Sequence, residues 1–170
     1  IDSFPLMAVP FFILAGELMN SGGVTAAIFR FAQAMIGHVR GGLAQVNIVT
    51  SMLFASLSGS AVADASAVGK MLVPEMVRQG YSRRYSAAVT ASAAILGPVI
   101  PPSGLMILYA FVMNVSVAAL FAAGAVVGAL MAGGLMLVTM VLAHRRGFPR
   151  AERKATWSER GKALTQTLPA

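Results

Sequence analysis

Apolar residues dominate this chain in long segments, and short polar or Gly- and Pro-containing stretches separate those segments. The apolar segments cover residues 4–20, 43–77, 85–113 and 116–143. A helix needs about 20 apolar residues to cross a bilayer. The pattern therefore predicts an all-α polytopic membrane protein whose membrane domain covers residues 1–150.

Segment 24–38 has a different, amphipathic pattern. Arg30 and Gln33 lie on one side of the predicted helix, and apolar side chains recur at helical spacing on the other. Those apolar positions are Val24, Ile28, Phe31 and Met35. The segment is too polar to span a membrane, so we predict a helix that lies along the interface.

The apolar segment 43–77 is interrupted by the small polar sequence Ser58-Gly59-Ser60. The arms on either side, 43–57 and 62–77, are about 15 residues long, too short to cross a core of ~30 Å at 1.5 Å per residue. Irregular backbone survives in a membrane only where protein shields it or where it lines a wet cavity. We therefore predict a re-entrant helical hairpin with these three residues at its tip.

Segment 85–113 contains a second interruption, Gly97-Pro98-Val99-Ile100-Pro101-Pro102-Ser103. Proline lacks a backbone N–H and clashes with the preceding helical turn, so this stretch should unwind a helix. We predict a discontinuous span with halves at 85–96 and 104–113.

Segment 116–143 is the longest uninterrupted span, and its Gly124-x-x-x-Gly128 pair predicts close helix packing. The tail, 151–170, is polar and predicts a surface helix or a cytoplasmic linker.

The basic residues predict how these segments cross the membrane. Arginines cluster at 78–84 and 145–150, Arg40 precedes the hairpin, and no charge lies around Asn114. Cytoplasmic loops carry an excess of Lys and Arg. All of these arginines are cytoplasmic if the hairpin enters and leaves from that side, the broken span runs outward and the last span returns. A full span in place of the hairpin would put Arg40 and the 78–84 cluster on opposite sides.

Composition supports the membrane class. Hydrophobic residues make up 57% of the chain and charged residues 11%, against roughly 25% charged in soluble domains. The absence of cysteine excludes disulfides and thiol catalysis. The net charge of +7 does not indicate nucleic-acid binding, because the basic residues lie between apolar segments rather than along one face. The chain begins at Ile1 without a signal peptide, so we expect a segment of a longer protein.

Two interruptions in one short chain point to a binding site. Half-helices that meet near the midplane present C-terminal carbonyls and hydroxyls to a cation, and N-terminal N–H groups to an anionic substrate. The structural alternative is a helix-packing patch in which the serines bond their own backbone.

Asp64 is the one acidic residue well inside an apolar segment, where its charged form costs at least ~2.5–3.5 kcal/mol on insertion scales. It could hold a cation or take up a proton. It could equally favour the helix dipole and bond exposed N–H groups in the first turn of the returning helix. Pro101 and Pro102 are likewise candidates for the substrate site or for a structural role.

Other classes of protein fit parts of this pattern. The Gly59-Ser60 pair suggests an intramembrane serine protease, but that chemistry needs a base within hydrogen-bond reach, and His38 and His144 lie outside the membrane segments. A channel or another anion or ion transporter subunit fits the discontinuous segments, although no repeated ring of polar residues supports a pore.

Four motifs occur in the order found in one family of transporters. They are Pro10-Phe11-Phe12-Ile13-Leu14-Ala15-Gly16-Glu17-Leu18-Met19, Gly37-His38-Val39-Arg40-Gly41-Gly42-Leu43-Ala44, Ser58-Gly59-Ser60-Ala61-Val62-Ala63-Asp64 and Gly97-Pro98-Val99-Ile100-Pro101-Pro102-Ser103. Over nearly its whole length, the chain resembles the large permease subunit of tripartite ATP-independent periplasmic (TRAP) transporters of the C4-dicarboxylate type.

The resemblance implies sodium-coupled uptake of organic acids, such as C4-dicarboxylates or sialic acid, across the bacterial inner membrane. It implies no enzymatic reaction and no cofactor besides the coupling sodium ion. The implied partners are a small membrane subunit and a periplasmic protein that delivers substrate. It further implies elevator-like transport by two inverted repeats, of which this chain would hold the first, with 151–170 leading to the second.

Carried over to this sequence, the resemblance makes Ser58, Gly59 and Ser60 candidates for sodium binding. They would act with Gly97, Pro98 and Ser103 of the broken helix, and no other metal is expected. Segment 24–38 would be an arm that joins the moving domain to the scaffold.

Overall fold

The computed structural model describes residues 10, 11, 13–16, 18, 22–39, 41–146 and 148, without the side chain of Leu57. Every regular element in these ranges is helical, which confirms the predicted all-α class. The helices with defined bounds are α1 (Val24–Ile36), α2 (Gly42–Ser58), α3 (Ala61–Arg78), α4 (Arg83–Ala94), α5 (Gly104–Met113) and α6 (Val117–Arg145).

Two predicted segments fall partly or wholly outside these residues. Of the predicted span 4–20, residues 10, 11, 13–16 and 18 are described, and all of them are helical. Phe11 and Leu18 expose most of their apolar surface. The rest of that span and the tail 151–170 lie outside the described residues.

Helices α2 and α3 are separated by two residues whose backbone explains the break. Gly59 has φ 57°, a left-handed conformation that glycine adopts without a Cβ penalty, and its N–H closes α2 on the Ala55 carbonyl at 2.9 Å. Ser60 is extended, and its hydroxyl accepts from the Ala63 N–H at 3.4 Å as the N-cap of α3. Each helix therefore ends or begins with its own cap.

The two helices pack against each other as a hairpin, and α1 packs on them. Asn47 of α2 lies 3.6 Å from the Met76 sulfur of α3. One apolar cluster joins all three helices, with Val24 and Ile28 from α1, Phe54 from α2, and Val68 and Leu72 from α3. The predicted helix at 24–38 is thus observed as α1, while its placement along the membrane interface stays a prediction.

Between α4 and α5, residues 95–103 form turns in which the Val99 and Ile100 N–H groups both donate to the Leu96 carbonyl. The Pro101–Pro102 peptide bond is cis. Helix α4 starts shortly after a turn at Gln79 and Gly80. Burial raises the pKa of Tyr81 to about 12, so its hydroxyl stays protonated at physiological pH.

Helix α6 has 29 residues and is, among the described residues, the one helix long and apolar enough to cross a membrane by length and composition. Only 17% of its most apolar stretch is buried, whereas the core helix of a soluble protein would be mostly buried. Its C-terminal half contacts α2, where the Gln45 side-chain amide donates to the Met136 carbonyl and to the Thr139 hydroxyl, both at 2.9 Å.

Candidate functional site

The two interruptions that the sequence singled out lie in direct contact. A Cβ built on Gly97 would be 3.0 Å from both the Ser60 carbonyl carbon and the Ala61 nitrogen. That spacing is closer than ordinary van der Waals contact, so a larger residue would push the break away from the hairpin tip. The absence of a side chain at Gly97 is what lets the two backbones meet.

Helix ends flank both sides of this contact along the chain, because each interruption ends one helix and begins another. The C-terminus of α2 and the N-terminus of α3 flank Gly59 and Ser60, and the ends of α4 and α5 flank the break at 95–103. The last carbonyls of a helix carry a partial negative charge and lack intrahelical partners, and the first N–H groups carry a partial positive charge. The site can therefore serve a cation and an anion on adjacent helix ends.

The tip serines use part of their hydrogen-bonding capacity locally. The Ser58 hydroxyl accepts from the Ser60 N–H at 3.4 Å, and the Ser60 hydroxyl accepts from the Ala63 N–H at the same distance. These are the local bonds expected if the serines belong to a helix-packing patch and bond their own backbone. A hydroxyl oxygen has two acceptor lone pairs, so each serine keeps one for an ion or a substrate.

Ser103 differs from the other serines that begin helices. Ser60, Ser82 and Ser116 each accept a bond from an N–H of the helix they cap. Ser103 caps α5 without such a bond, is fully buried, and its hydroxyl has no partner among the described residues. Buried polar groups normally have partners, so this hydroxyl is a strong candidate for contact with a ligand.

Asp64 lies one turn from the tip, where its N–H donates to the Ser60 carbonyl at 3.0 Å. Its side chain is fully buried, on the same helix face as Val68, Leu72 and Met76. Val68 and Leu72 of that face pack against Phe54 of α2 and against α1. Neither carboxylate oxygen has a hydrogen-bond partner among the described residues. The structural role considered for Asp64 includes bonds from its carboxylate to exposed N–H groups of the first helical turn, and no such bond forms there.

The remaining candidates line the break itself. Gly97 is buried, Pro98 and Pro101 are partly buried, and Pro102 is exposed. The structure therefore brings Ser60 and Gly97 together. It leaves Pro102 at the surface of this part of the protein.

Sequence reasoning missed a polar face on α2. Asn47, Thr50 and Ser51 are all fully buried, and the Thr50 and Ser51 hydroxyls have no partner within the described residues. The Asn47 amide donates to the Thr90 hydroxyl of α4 at 2.7 Å. Polar residues at helical spacing inside an otherwise apolar helix were the signal that could have identified this face.

The histidines are remote from the tip. His38 precedes α2 and is separated from Ser60 by the whole helix, about 25 Å at 1.5 Å per residue. His144 lies in the last turn of α6 beside Ala143, and a Cβ built on Gly41 would lie 2.6 Å from the Ala143 side chain. Both histidines thus lie at the opposite end of the hairpin, so neither can act as a base for Ser60.

Paired helix breaks that contact each other inside an all-helical, largely apolar chain are typical of helical membrane transport proteins. The family described as "Tripartite ATP-independent periplasmic transporter, DctM component" matches residues 1–170. The chain belongs to this family.

Three relatives illustrate the range of the family. The chain is 46% identical over 168 residues to the sialic acid TRAP transporter permease protein SiaT of Haemophilus influenzae, covering 99% of this chain and 27% of that protein. It is 44% identical over 158 residues to the 2,3-diketo-L-gulonate TRAP transporter large permease protein YiaN of Escherichia coli, with 93% and 37% covered. It is 39% identical over 180 residues to the C4-dicarboxylate TRAP transporter large permease protein DctM of Rhodobacter capsulatus, with 98% and 41% covered. The chain thus spans well under half the length of these relatives, each of which is named as a transporter permease rather than as an enzyme.

Proposed function

We propose that this chain forms the first of two inverted repeats in a sodium-coupled TRAP permease that takes up organic acids across the bacterial inner membrane. The observation that carries the proposal is the contact between Gly97 and the Ser60–Ala61 backbone, because it joins two helix interruptions into one polar centre. Transporters with broken helices bind their ions and substrates at such centres.

The residues at this centre suit a sodium ion. Hard cations prefer oxygen ligands, and the site offers the hydroxyls of Ser58 and Ser60 together with the last carbonyls of α2. The Asp64 carboxylate is buried one turn away without a partner, and a nearby cation would offset the cost of burying its charge. Bound sodium would supply positive charge and hold the tip and the break together.

The names of the relatives and the helix ends support an organic acid as the substrate class. Sialic acid, 2,3-diketo-L-gulonate and C4-dicarboxylates are all organic acids. The N-termini of α3 and α5 favour carboxylates, and the buried Ser103 hydroxyl offers a hydrogen bond beside them. We propose an organic acid as the substrate, with C4-dicarboxylates as the first compounds to test.

The tripartite family description supports two partners. They are a small membrane subunit and a periplasmic protein that delivers the substrate. The remainder of the permease would supply the second hairpin and broken helix and so complete the substrate site.

Uptake by the full-length permease, reconstituted in liposomes with both partners, tests the proposal. We expect substrate uptake to depend on an inward sodium gradient and to stop when sodium is replaced by potassium. We expect Gly97→Ala to lower uptake at least tenfold, because its Cβ forces the break away from the tip. Gly69→Ala is the matched control, since its Cβ would make an ordinary 3.5 Å contact with Thr90.

Uptake that is unchanged without sodium would contradict the coupling. If Gly97→Ala took up substrate as fast as Gly69→Ala, that result would contradict the assignment of the site. The sodium coupling would then still stand.

A further inference from the structure

A groove of about 180 Å³ lies between α4 and α6, with Ile48 of α2 as its floor. Ala88 on one wall and Val138 on the other are exposed, whereas Ile48 is fully buried. The groove is therefore an apolar slot that opens to the surface of this part of the protein. It lies on the side of α2 that faces α4 and α6, away from the contact between the tip and the break.

The groove has the length of part of an acyl chain. It extends from Tyr85 to Ser92 on α4 and from Leu142 to Leu135 on α6, a separation of seven residues along each helix. At 1.5 Å per residue this is about 10 Å, within the ~15 Å depth of one leaflet's hydrocarbon. The Tyr85 ring contacts the Phe148 ring at 4.7 Å between centroids, so Tyr85 marks the end of the groove nearest the C-terminal end of α6.

That end of the groove is strongly basic. Arg83 and Arg84 begin α4, Arg145 ends α6 and Arg146 follows it, and all four are exposed. Arg146 lies two residues before Phe148, whose ring contacts the Tyr85 ring. Within the described residues the ion pair that forms is Arg78–Glu75, so none of these four arginines has an acidic partner there.

Tyr85 supplies an unpartnered polar group at the same end. Its side chain is 8% exposed and lines the groove, and its hydroxyl has no hydrogen-bond partner among the described residues. A buried tyrosine hydroxyl usually finds an acceptor. An anion held by Arg146 would provide one.

We propose that this groove binds one anionic phospholipid of the cytoplasmic leaflet. An acyl chain fills the slot between α4 and α6, and the phosphate is held by Arg145, Arg146 and the Tyr85 hydroxyl. Basic pockets between transmembrane helices on the cytoplasmic side are a known physical basis for binding anionic headgroups. The apolar slot favours a phospholipid over a free phosphate ion, which would gain nothing from it.

Native mass spectrometry of the full-length permease complex tests this site, with phosphatidylglycerol and phosphatidylethanolamine of matched acyl chains as probes. We expect preferential retention of phosphatidylglycerol. The double variant Arg145→Gln/Arg146→Gln should weaken its apparent affinity roughly tenfold or more, because each arginine near the surface adds to headgroup attraction. Ala88→Phe should reduce retention of both lipids by filling the slot.

Arg78→Gln is the control, because Arg78 is a basic residue of the same end of the hairpin that pairs with Glu75 rather than facing the groove. Tyr85→Phe keeps the ring packing and should lower the preference for phosphatidylglycerol without lowering thermal stability. Equal retention of the two lipids by the unmodified complex, or retention unchanged by both the arginine and the Ala88 variants, would overturn the proposal.

Discussion

Asp64 is the residue whose surroundings constrain the chemistry of the site most closely. A carboxylate buried without a partner costs several kcal/mol, and such groups persist where a cation or proton compensates them. Ser60 already caps α3, so the carboxylate is not needed to satisfy the first N–H groups of that helix. The effect of sodium on the stability of an Asp64 variant therefore distinguishes a functional role for Asp64 from a structural one.

We expect Asp64→Asn to raise the melting temperature of the full-length permease in sodium-free buffer and to reduce its stabilisation by sodium. The amide keeps the shape of the side chain but removes the uncompensated charge, and a ligand that binds the folded state stabilises it in proportion to its affinity. Thermal unfolding with and without sodium measures both effects.

Glu75→Gln is the matched control, because Glu75 is an acid of the same helix that pairs with Arg78 at the surface. A lower melting temperature for Asp64→Asn without sodium, together with a full sodium-induced shift, would assign Asp64 to the helix dipole instead.

At the scale of elements, α6 packs closely against the break at two of its glycines, Gly124 and Gly128. A Cβ on Gly124 would lie 2.8 Å from the Val99 carbonyl oxygen and would collide with the Met106 side chain. A Cβ on Gly128 would lie 2.6 Å from the Ile100 side chain. The Gly124-x-x-x-Gly128 pair thus accommodates the turns at 95–103 and, at Gly124, the side chain of Met106 from α5.

We expect Gly124→Ala to destabilise the permease by about 1–3 kcal/mol, the usual cost of overpacking a well-packed contact. It should also lower uptake, because the displaced Val99 carbonyl belongs to the break that contacts the tip. Melting temperature and initial uptake rate measure the two effects. Gly134→Ala is the control, since no described atom lies within 4 Å of its Cβ. Equal melting temperatures for the two variants would contradict the packing role of Gly124.

Both interruptions could be predicted from the sequence because their causes are local. Glycine at position 59 ends a helix, a serine at position 60 begins one, and the prolines at 98, 101 and 102 prevent helical hydrogen bonding. The predicted boundaries fall within a few residues of the observed ones, 42–58 and 61–78 for the hairpin arms and 83–94 and 104–113 for the broken span.

The pairing of the tip with the break around Gly97 came from the family resemblance and not from any local pattern, because the contact between Gly97 and Ser60 joins residues far apart in sequence through the packing of α2, α3 and α4. The packing of α1 on the hairpin through Val24 and Phe54 also joins residues far apart in sequence. The amphipathic pattern of α1 identifies an apolar face but not the surface that covers it. The unpartnered hydroxyls of Thr50 and Ser51 likewise become visible only when burial is known.

At the scale of the whole molecule, both ends of the hairpin lie at the same end of α6. A Cβ on Gly41, just before α2, would lie 2.6 Å from the Ala143 side chain. Tyr81, just after α3, contacts Phe148 at 4.8 Å between ring centroids. The N-terminus of α6 is a helix length away, about 43 Å for 29 residues, which exceeds the ~30 Å hydrocarbon core. The entrance and exit of the hairpin should therefore share one side of the membrane.

Single cysteines in a cysteine-free full-length permease test this topology, and the present chain contributes no cysteine of its own. We expect Val39→Cys and Gln79→Cys, which flank the hairpin, to react with a membrane-impermeant maleimide only when it has access to the cytoplasmic face. Val115→Cys, beside the uncharged turn that precedes α6, should react from the opposite face. Labelling of Val39→Cys and Gln79→Cys from opposite faces would mean that the hairpin crosses the membrane. It would then also separate the Arg40 and 78–84 charges that the positive-inside rule groups together.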